Sequence, residues 1–300
     1  MQGAALVATI FLFAYSHLTV QWSSLGATLF GDGLVVAIWV HLYFDAPGRP
    51  RTWILAETVA VLVLVLTLSQ ILCSMQYPAA ALGRPLIDPI LASADAKLGI
   101  NVQALAEWTR AHATVRDALS QAYFTLLWQF ALVIPALGIL LRDREALWEY
   151  AFHYHFCLLL ALAAFILWPA ACAFQYYGFE STISQARFIH HFNALRDGSM
   201  TVVRMNDIEG LVSVPSFHVA GALMITWAFR RRVLLLVPVA LVNGALIAAT
   251  FMSGAHYVVD ALLSLPLLGA SILVYRMWAA PLHRIGDRQA ESARDAVVMR

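Results

Sequence analysis

The sequence predicts an all-α polytopic membrane protein, a bundle of about eight transmembrane helices (range six to eight) with an interfacial helical loop at its outer face. Of the 300 residues, 61% are hydrophobic and only 12% are charged. A soluble domain is typically about 45–50% apolar and about 25% charged. The composition therefore excludes a soluble globular protein and a disordered chain. The net charge of +1 provides no field that attracts nucleic acid.

Apolar stretches recur along the chain at close to the roughly 20 residues that cross about 30 Å of hydrocarbon. They lie near residues 3–21, 25–44, 53–75, 123–141, 147–174, 213–229, 233–252 and 256–279. The stretch at 25–44 is the weakest, because Gly31, Asp32 and Gly33 interrupt it. We expect a single transmembrane domain over residues 1–280 and a polar tail over residues 281–300.

The arginine residues predict the orientation of this bundle. If all the stretches cross, the basic residues of the short connections fall on one face, and the connections at 22–24 and 253–255 carry none. The basic residues on that face are Arg49, Arg51, Arg142, Arg144, Arg230, Arg231, Arg232 and those of the tail. Because Lys and Arg in short loops mark the cytoplasmic side, we expect both termini and the tail in the cytoplasm. The longer loops, 76–122 and 175–212, then lie on the outer face.

The outer loop 76–122 contains a helical pattern. Its apolar residues repeat at helical spacing, and its charged residues lie off that stripe. The stripe is Ile87, Ile90, Leu91, Ala94 and Leu98, and the charged residues off it are Asp88, Asp95 and Lys97. The pattern is compatible with a helix lying flat in the headgroup zone. A helix that caps the outer ends of the bundle fits the pattern equally well.

Ionisable residues at membrane depth are costly, so they are candidates for function. One group, Val214–His218, opens the sixth stretch, and another, Ser253–Asp260, opens the eighth. Two crossings separate the groups, so His218 and His256 return to the same outer leaflet. His256 and Asp260 are four residues apart and share a helical face. The carboxylate can therefore hold one imidazole nitrogen and leave the other bare, which suits nucleophilic catalysis beside a second histidine acting as general acid.

The region before the sixth stretch could bind an anion. Pro215 at a helix start leaves backbone N–H groups free to receive one, and a guanidinium in the outer loop could bind a phosphate through two parallel hydrogen bonds. The loop offers Arg187, Arg196 and Arg204. Its adjacent histidines, His190 and His191, point about 100° apart on a helix, which argues against a metal there. These groups suffice for phosphoryl transfer, so we expect no metal and no cofactor.

A family resemblance follows from these residues. Pro-Ser-x-His opening one span and His-x-x-x-Asp opening the span after next resemble the second and third signature motifs of the type-2 phosphatidic-acid phosphatase superfamily. The stretch 209–218, preceded by Leu-Arg-Asp-Gly at 195–198, resembles one bacterial branch, as does the stretch 94–99. That branch is related to inositol phosphorylceramide synthases, the aureobasidin-resistance type. The motifs cover residues 84–130 and 187–262, with the motif-bearing core at 187–279.

The resemblance implies a role for each matching residue. His256 matches the nucleophile that forms phosphohistidine, and Asp260 matches the residue that orients it. His218 matches the acid that protonates the leaving alkoxide, and Ser216 matches a hydroxyl that contacts the phosphate. The resemblance also implies an integral protein of a bacterial inner (cell) membrane with its active site on the periplasmic or extracellular face.

This sequence departs from the family pattern at two places. The first motif, Lys-x6-Arg-Pro, is absent, because Arg187 is followed seven residues later by Ala194. The third-motif arginine, six residues before the histidine, is Thr250 here. We therefore expect the phosphate clamp to come from Arg196, with Arg187 and Arg204 as further candidates.

These observations predict a metal-independent phosphoric ester hydrolase or phosphotransferase acting on a lipid phosphate or phosphodiester. Water as acceptor gives a lipid phosphatase, whereas inositol or a sugar as acceptor gives a transferase that makes a phospho- or sphingolipid headgroup. Two other hypotheses stay open. One is a metal-dependent hydrolase with His218, His256 and Asp260 as ligands. The other is a lipid transporter or binding bundle, which would need charges at mid-depth. The expected partners are membrane lipids, a lipid phosphate and, for transfer, a polyol, without nucleic acid.

Overall fold

The computed structural model describes residues 2–182 and 186–298, with side chains at 3–182 and 188–278. Helices form nearly all of the regular structure. In chain order they are α1 (Gln2–Tyr15), α2 (Trp22–Asp45), α3 (Pro50–Ala81), α4 (Asp88–Lys97), α5 (Val102–Ala111), α6 (Ala113–Pro135), α7 (Arg144–Leu167), α8 (Ala173–Tyr177), α9 (Ala186–Arg196), α10 (Phe217–Ala228), α11 (Val233–Met252) and α12 (Val258–Val298). A π-helical turn, Ala136–Leu140, extends α6. Two short strands, β1 (Thr19–Val20) and β2 (Val202–Val203), pair in parallel.

In the described chain, six helices are long and apolar enough to cross a membrane, and the predicted fold class is confirmed. They are Trp22–Asp45, Pro50–Ala81, Ala113–Leu140, Arg144–Leu167, Val233–Met252 and Val258–Trp278. The predicted first and sixth spans are shorter apolar helices, Gly3–Tyr15 and Phe217–Ala228. The first ends early because the chain turns at His17, where φ is +57°. The sixth starts late because residues 213–216 form a turn.

Helix α10 lies inside the bundle, in contact with α6, α7, α11 and α12. Its small residues allow close packing, since Ala220 and Ala222 are fully buried. A Cβ atom on Gly221 would lie 2.6 Å from the Phe130 ring of α6. This packing places the start of α10 beside the start of α12.

The two ends of the bundle carry different charged groups. We call the end with His218 and His256 the histidine end and the opposite end, with Arg230, the arginine end. At the arginine end, the turn between α10 and α11 is tied to the start of α7 by ion pairs. They are Arg230–Glu149 at 2.8 Å, Arg231–Glu145 at 3.1 Å and Arg232–Asp143 at 2.8 Å.

The outer loop differs from the predicted pattern in both length and orientation. Helix α3 continues to Ala81 and α6 begins at Ala113, so the connection is shorter than 76–122. The expected apolar stripe is wrong for α4, because Ile90 and Leu98 are exposed whereas Asp88 and Asp95 are buried. The two carboxylates face inward because they accept hydrogen bonds from main-chain N–H groups of neighbouring segments. Helix α4 therefore caps the histidine end with its polar face.

The N-terminal helices are joined to the segment before α10 mainly through the backbone. The N–H of Thr19 donates to the carbonyl of Thr201, and the N–H of Gln21 donates to that of Val203, each at 2.9 Å. From α3, the side-chain oxygen of Gln76 accepts the N–H groups of residues 211 and 212 at 2.6 and 3.1 Å. These contacts hold the chain that leads into the start of α10.

Candidate active site

Helix α10 begins with a local cap that also presents a hydroxyl group. Ser216 is the N-cap residue, and its Oγ accepts the N–H of Val219 at 3.4 Å. A serine at this position satisfies a donor that the first turn would otherwise leave unpaired. Ser216 is fully buried. The Pro-Ser pair thus starts the helix and fixes the position of the Ser216 side chain.

Helix α12 is preceded by the tight turn that carries His256. Gly254 has φ of +80°, a left-handed conformation that favours glycine, and its Cβ position is only 2.4 Å from the Phe179 ring. The Gly254 carbonyl accepts the N–H of Phe174 at 2.9 Å, and the His256 N–H donates to Thr250 at 3.0 Å. Thr250, which stands where the family pattern has arginine, therefore supports this turn through its carbonyl.

His256 lies between a carboxylate and a hydroxyl group. Its Nδ1 is 3.1 Å from Oδ1 and 3.3 Å from Oδ2 of Asp260. Its Nε2 is 3.2 Å from Oγ of Ser216. The carboxylate can only accept, so these partners assign the proton to Nδ1 and leave Nε2 as an acceptor for the Ser216 hydroxyl. Asp260 is fully buried and His256 is 5% exposed, so this tautomer is held away from bulk water.

His218 faces His256 and is stacked against a tyrosine. The two imidazole centroids are 6.1 Å apart. The Tyr123 ring of α6 stacks on His218 with centroids 4.4 Å apart and an angle of 20°, and its hydroxyl is 3.5 Å from Nδ1. Tyr123 therefore restricts the orientation of His218.

Main-chain contacts fix the two helix starts relative to each other. The Ser264 hydroxyl of α12 donates to the Ser216 carbonyl at 2.9 Å. The N–H of Ser216 is 3.5 Å from the carbonyl of Asp260. The distance between His218 and His256 therefore depends on the contact between α10 and α12.

Two buried carboxylates of α4 support this turn from outside. Asp88 accepts the N–H groups of Ala171 and Cys172 at 2.9 and 3.1 Å and the Tyr257 hydroxyl at 3.0 Å. Burial raises the pKa of Asp88, although these donors stabilise its charged form. Burial and the adjacent Asp88 likewise raise the pKa of Tyr257. Asp95 accepts the first N–H groups of α12.

Arg196, the expected phosphate clamp, lies near this network. Its Nη2 donates to the Arg84 carbonyl at 3.0 Å, and its guanidinium lies 5.5 Å from the Phe192 ring centroid. Its Nη1 is buried and has no hydrogen-bond partner within the described residues. Removal from water lowers the pKa of Arg196, and the Asp88 carboxylate opposes this shift. Asp197 accepts the Ser199 N–H at 2.8 Å, and the described residues show no Arg196–Asp197 ion pair.

Arg204 lies apart from His218 and His256. It lines a cavity of about 410 Å³ together with His190, His191, Tyr77 and Asp207. Nδ1 of His191 is 2.8 Å from the Tyr77 hydroxyl, whereas His190 is exposed. The Arg187 side chain lies outside the described residues. The structure thus brings together Ser216, His218, His256 and Asp260, and it does not bring Arg204 to them.

Sequence reasoning assigned no role to several residues that contact the site. Tyr123 and Ser264 stand in apolar stretches, where hydropathy gives no signal for a polar contact. Asp88 and Asp95 are more than 160 residues away from their partners Tyr257 and Val258 at the start of α12, so no local pattern links them. Arg84 offered one signal, since Arg84-Pro85 is the pair that ends the family's first motif. Tyr77 stands where that motif has lysine.

The fold and this geometry define a polytopic α-helical membrane protein with a paired-histidine site at one end of its bundle. A family model described as the PAP2 superfamily matches residues 89–274. The chain belongs to this superfamily, whose members are phosphoesterases, and the family predicted from the motifs is confirmed. The match begins at the second residue of α4 and ends within α12. No curated protein and no solved structure matches the chain.

Proposed function

We propose that the protein is a lipid phosphatase or phosphotransferase that works through a phosphohistidine at the histidine end. The observation that carries the proposal is the His256 geometry, with Nδ1 held by Asp260 and Nε2 directed at the Ser216 hydroxyl. An imidazole oriented in this way has one basic nitrogen available for nucleophilic attack. The superfamily match supports phosphoester chemistry, and the apolar helices support a lipid as its substrate.

In the first step, the Nε2 lone pair of His256 attacks phosphorus and the bond from phosphorus to the lipid oxygen breaks. The electron pair of that bond leaves with the oxygen, which receives a proton from the imidazolium of His218. Asp260 stabilises the positive charge that His256 gains on forming the phosphorus–nitrogen bond. The 6.1 Å separation of the two rings supports attack and protonation from opposite sides of one phosphoryl group.

In the second step, His218 acts as a base. It takes the proton of an acceptor hydroxyl whose oxygen attacks phosphorus, and the electron pair of the phosphorus–nitrogen bond returns to His256. Water as acceptor gives inorganic phosphate, and an alcohol such as inositol or a sugar gives a new phosphoester. The preference between these acceptors, and the inositol phosphorylceramide synthase-like branch, remain predictions from the sequence.

The phosphate-binding groups in this proposal are Ser216 and Arg196. The Ser216 hydroxyl can turn from Nε2 to a phosphate oxygen when substrate arrives. Arg196 has an unpartnered, buried Nη1 within the described chain, which supports a role in binding an oxyanion. Arg187 and Arg204 remain candidates only from their position in the sequence. The Arg187 side chain lies outside the described residues, and Arg204 lines the cavity beside His190 and His191.

We also propose that the histidine end faces the periplasm or exterior and that both termini lie in the cytoplasm. The arginine distribution among the short loops supports this orientation. A cysteine introduced as His190→Cys, at an exposed position of α9, should react with a membrane-impermeant maleimide in intact cells. Labelling only after lysis would contradict the orientation.

Phosphate release in detergent, over a panel of lipid phosphates and with EDTA present, tests the chemistry. Wild-type protein should release phosphate in EDTA, and His256→Ala should lower kcat by at least about 10³-fold. The matched control is His153→Gln, which changes another buried histidine, 1% exposed against 5% for His256, that contacts Ser271 in another part of the bundle. Undiminished phosphate release by His256→Ala would refute the mechanism. Loss of all activity in EDTA would favour the hypothesis of a metal-dependent hydrolase.

The acceptor is tested in the same preparation. Inositol or another polyol is added with a lipid phosphodiester or phosphomonoester, and the products are separated as lipids. A new phospholipid whose amount rises with polyol concentration, while inorganic phosphate falls, identifies a transferase. Unchanged phosphate release identifies a phosphatase.

A further inference from the structure

The N-terminus of α12 has an unusual cap. A helix start leaves its first N–H groups without partners, and a Ser, Thr, Asp or Asn just before the helix normally accepts them. Here that position is Tyr257, whose hydroxyl instead donates to Asp88 at 3.0 Å. The local sequence therefore supplies no side-chain acceptor for the N–H groups of Val258 and Val259.

Asp95, on α4, supplies the missing acceptor. Its Oδ2 accepts the N–H of Val258 at 2.9 Å, and its Oδ1 accepts the N–H of Val259 at 2.8 Å. Asp95 is 1% exposed, so water does not compete for these bonds. Both carboxylate oxygens are thus used to cap a helix that lies 163 residues further along the chain.

Asp260 completes the cap from inside α12. It is the third residue of the helix, and its Oδ2 reaches back to the N–H of Tyr257 at 3.0 Å, as the acidic residue of a capping box does. The same carboxylate lies 3.1 Å from Nδ1 of His256. Because Asp95 satisfies the N–H groups of Val258 and Val259, Asp260 is left to serve Tyr257 and His256.

We propose that Asp95 is a positioning residue that keeps the Asp260 carboxylate on His256. Without Asp95, two N–H groups of the first turn lose their acceptor, and Asp260 is the carboxylate nearest to them in the sequence. Its rotation toward them takes it from Nδ1, and His256 loses the partner that fixes its tautomer. The inference rests on the proposed function, since it concerns the nucleophile assigned there.

Asp95 itself is expected not to touch substrate, because both of its oxygens are bonded to the main chain and the side chain is buried. Its loss should therefore lower kcat and leave KM within about twofold. A group that orients a catalytic side chain from outside the reacting atoms contributes on the order of 10- to 100-fold. We expect about a 100-fold loss of kcat for Asp95→Ala and about 10-fold for Asp95→Asn, which keeps one acceptor oxygen.

The control is Asn101→Ala, which removes the side-chain cap of α5. The Asn101 side chain accepts the N–H of Ala104 at 3.0 Å, and no bond from it to α12 is found among the described side chains. Both variants should lose thermal stability, but only the Asp95 variants should lose kcat per folded molecule. The Asp95→Asn variant keeps the comparison valid if Asp95→Ala does not fold.

The decisive measurement is a double-mutant cycle with Asp260→Asn. If Asp95 acts through Asp260, Asp95→Asn should cost less than about twofold in kcat when Asp260→Asn is already present. An equal loss in both backgrounds, or a loss no larger than that of Asn101→Ala, would overturn this inference while leaving the proposed function intact. A wild-type protein inactive on every lipid phosphate would overturn the proposed function and this inference together.

Discussion

Removal of Glu149 from its ion pair with Arg230 at the arginine end should be strongly destabilising, because it leaves a charge there without its partner. Glu149 is 5% exposed and accepts two bonds from Nη2 of Arg230, at 3.0 and 2.8 Å. It also accepts the indole N–H of Trp227 at 3.2 Å and lies 3.4 Å from Nε2 of His153. The perturbation is Glu149→Ala, which leaves each of these donors without its acceptor.

The expected loss in the free energy of unfolding follows from the burial of the pair. Removal of one partner from a fully buried ion pair costs about 3–5 kcal/mol. The Arg230 side chain is 22% exposed and keeps a bond from Nη1 to the Trp227 carbonyl. These features place the expected loss at the lower end, about 3 kcal/mol.

Helix α7 offers a matched control one turn away. Glu145 pairs with Arg231 at 3.1 Å, but their side chains are 44% and 54% exposed. An exposed pair of this kind contributes about 0.2–1 kcal/mol. Glu145→Ala should therefore cost less than about 1 kcal/mol, although it removes the same charge from the same helix.

The assay is the free energy of unfolding in mixed micelles of mild detergent and increasing SDS. Phosphate release per folded molecule should stay at the wild-type value for both variants, because neither residue contacts the histidine end. Equal losses for Glu149→Ala and Glu145→Ala, or a loss below about 1 kcal/mol for Glu149→Ala, would refute the argument from burial.

Three further predictions concern the histidine end. Tyr123→Ala should lower kcat by about tenfold through loss of the stacked ring, whereas Tyr123→Phe, which keeps the stack, should stay within about threefold; steady-state phosphate release distinguishes them. Gly254→Ala should reduce both thermal stability and kcat, because a Cβ atom meets the Phe179 ring at a positive φ, and an unchanged variant would contradict that geometry. Asp88 binds a proton more readily folded than unfolded, so the free energy of unfolding should fall as pH rises from the ordinary Asp pKa through the raised one. Asp88→Asn should flatten this slope in thermal unfolding measured from pH 4 to 7, and an unchanged slope would assign it to another group.

The helices could be predicted from the sequence because membrane crossing imposes a length and an apolar composition that are visible in any window. The boundaries that failed are those set by local conformation. Examples are the turn at His17, which ends α1 early, and the turn at 213–216, which delays α10. The apolar composition continues through both turns, so a hydropathy profile does not indicate them.

The histidine end was predictable to the extent that its residues lie close together in the sequence. His256 and Asp260 are one helical turn apart, and the two-span separation from His218 fixes the common end. The α4 contacts were not predictable, because a buried carboxylate bonded to a distant main chain looks the same in sequence as an exposed one. The pattern places Asp95 off the apolar stripe of its helix, yet Asp95 is 1% exposed.

The pairing of β1 with β2 has a consequence for how the chain can vary. The bonds at Thr19 and Gln21 join main-chain atoms, so they do not depend on which side chains occupy those positions. The first two helices can change almost any lipid-facing residue and remain attached to the segment before α10. The recognisable family pattern begins only at residue 89. Helices that are attached through backbone bonds can change their sequence and keep only an apolar composition. They can still support the part of the molecule that carries the motifs.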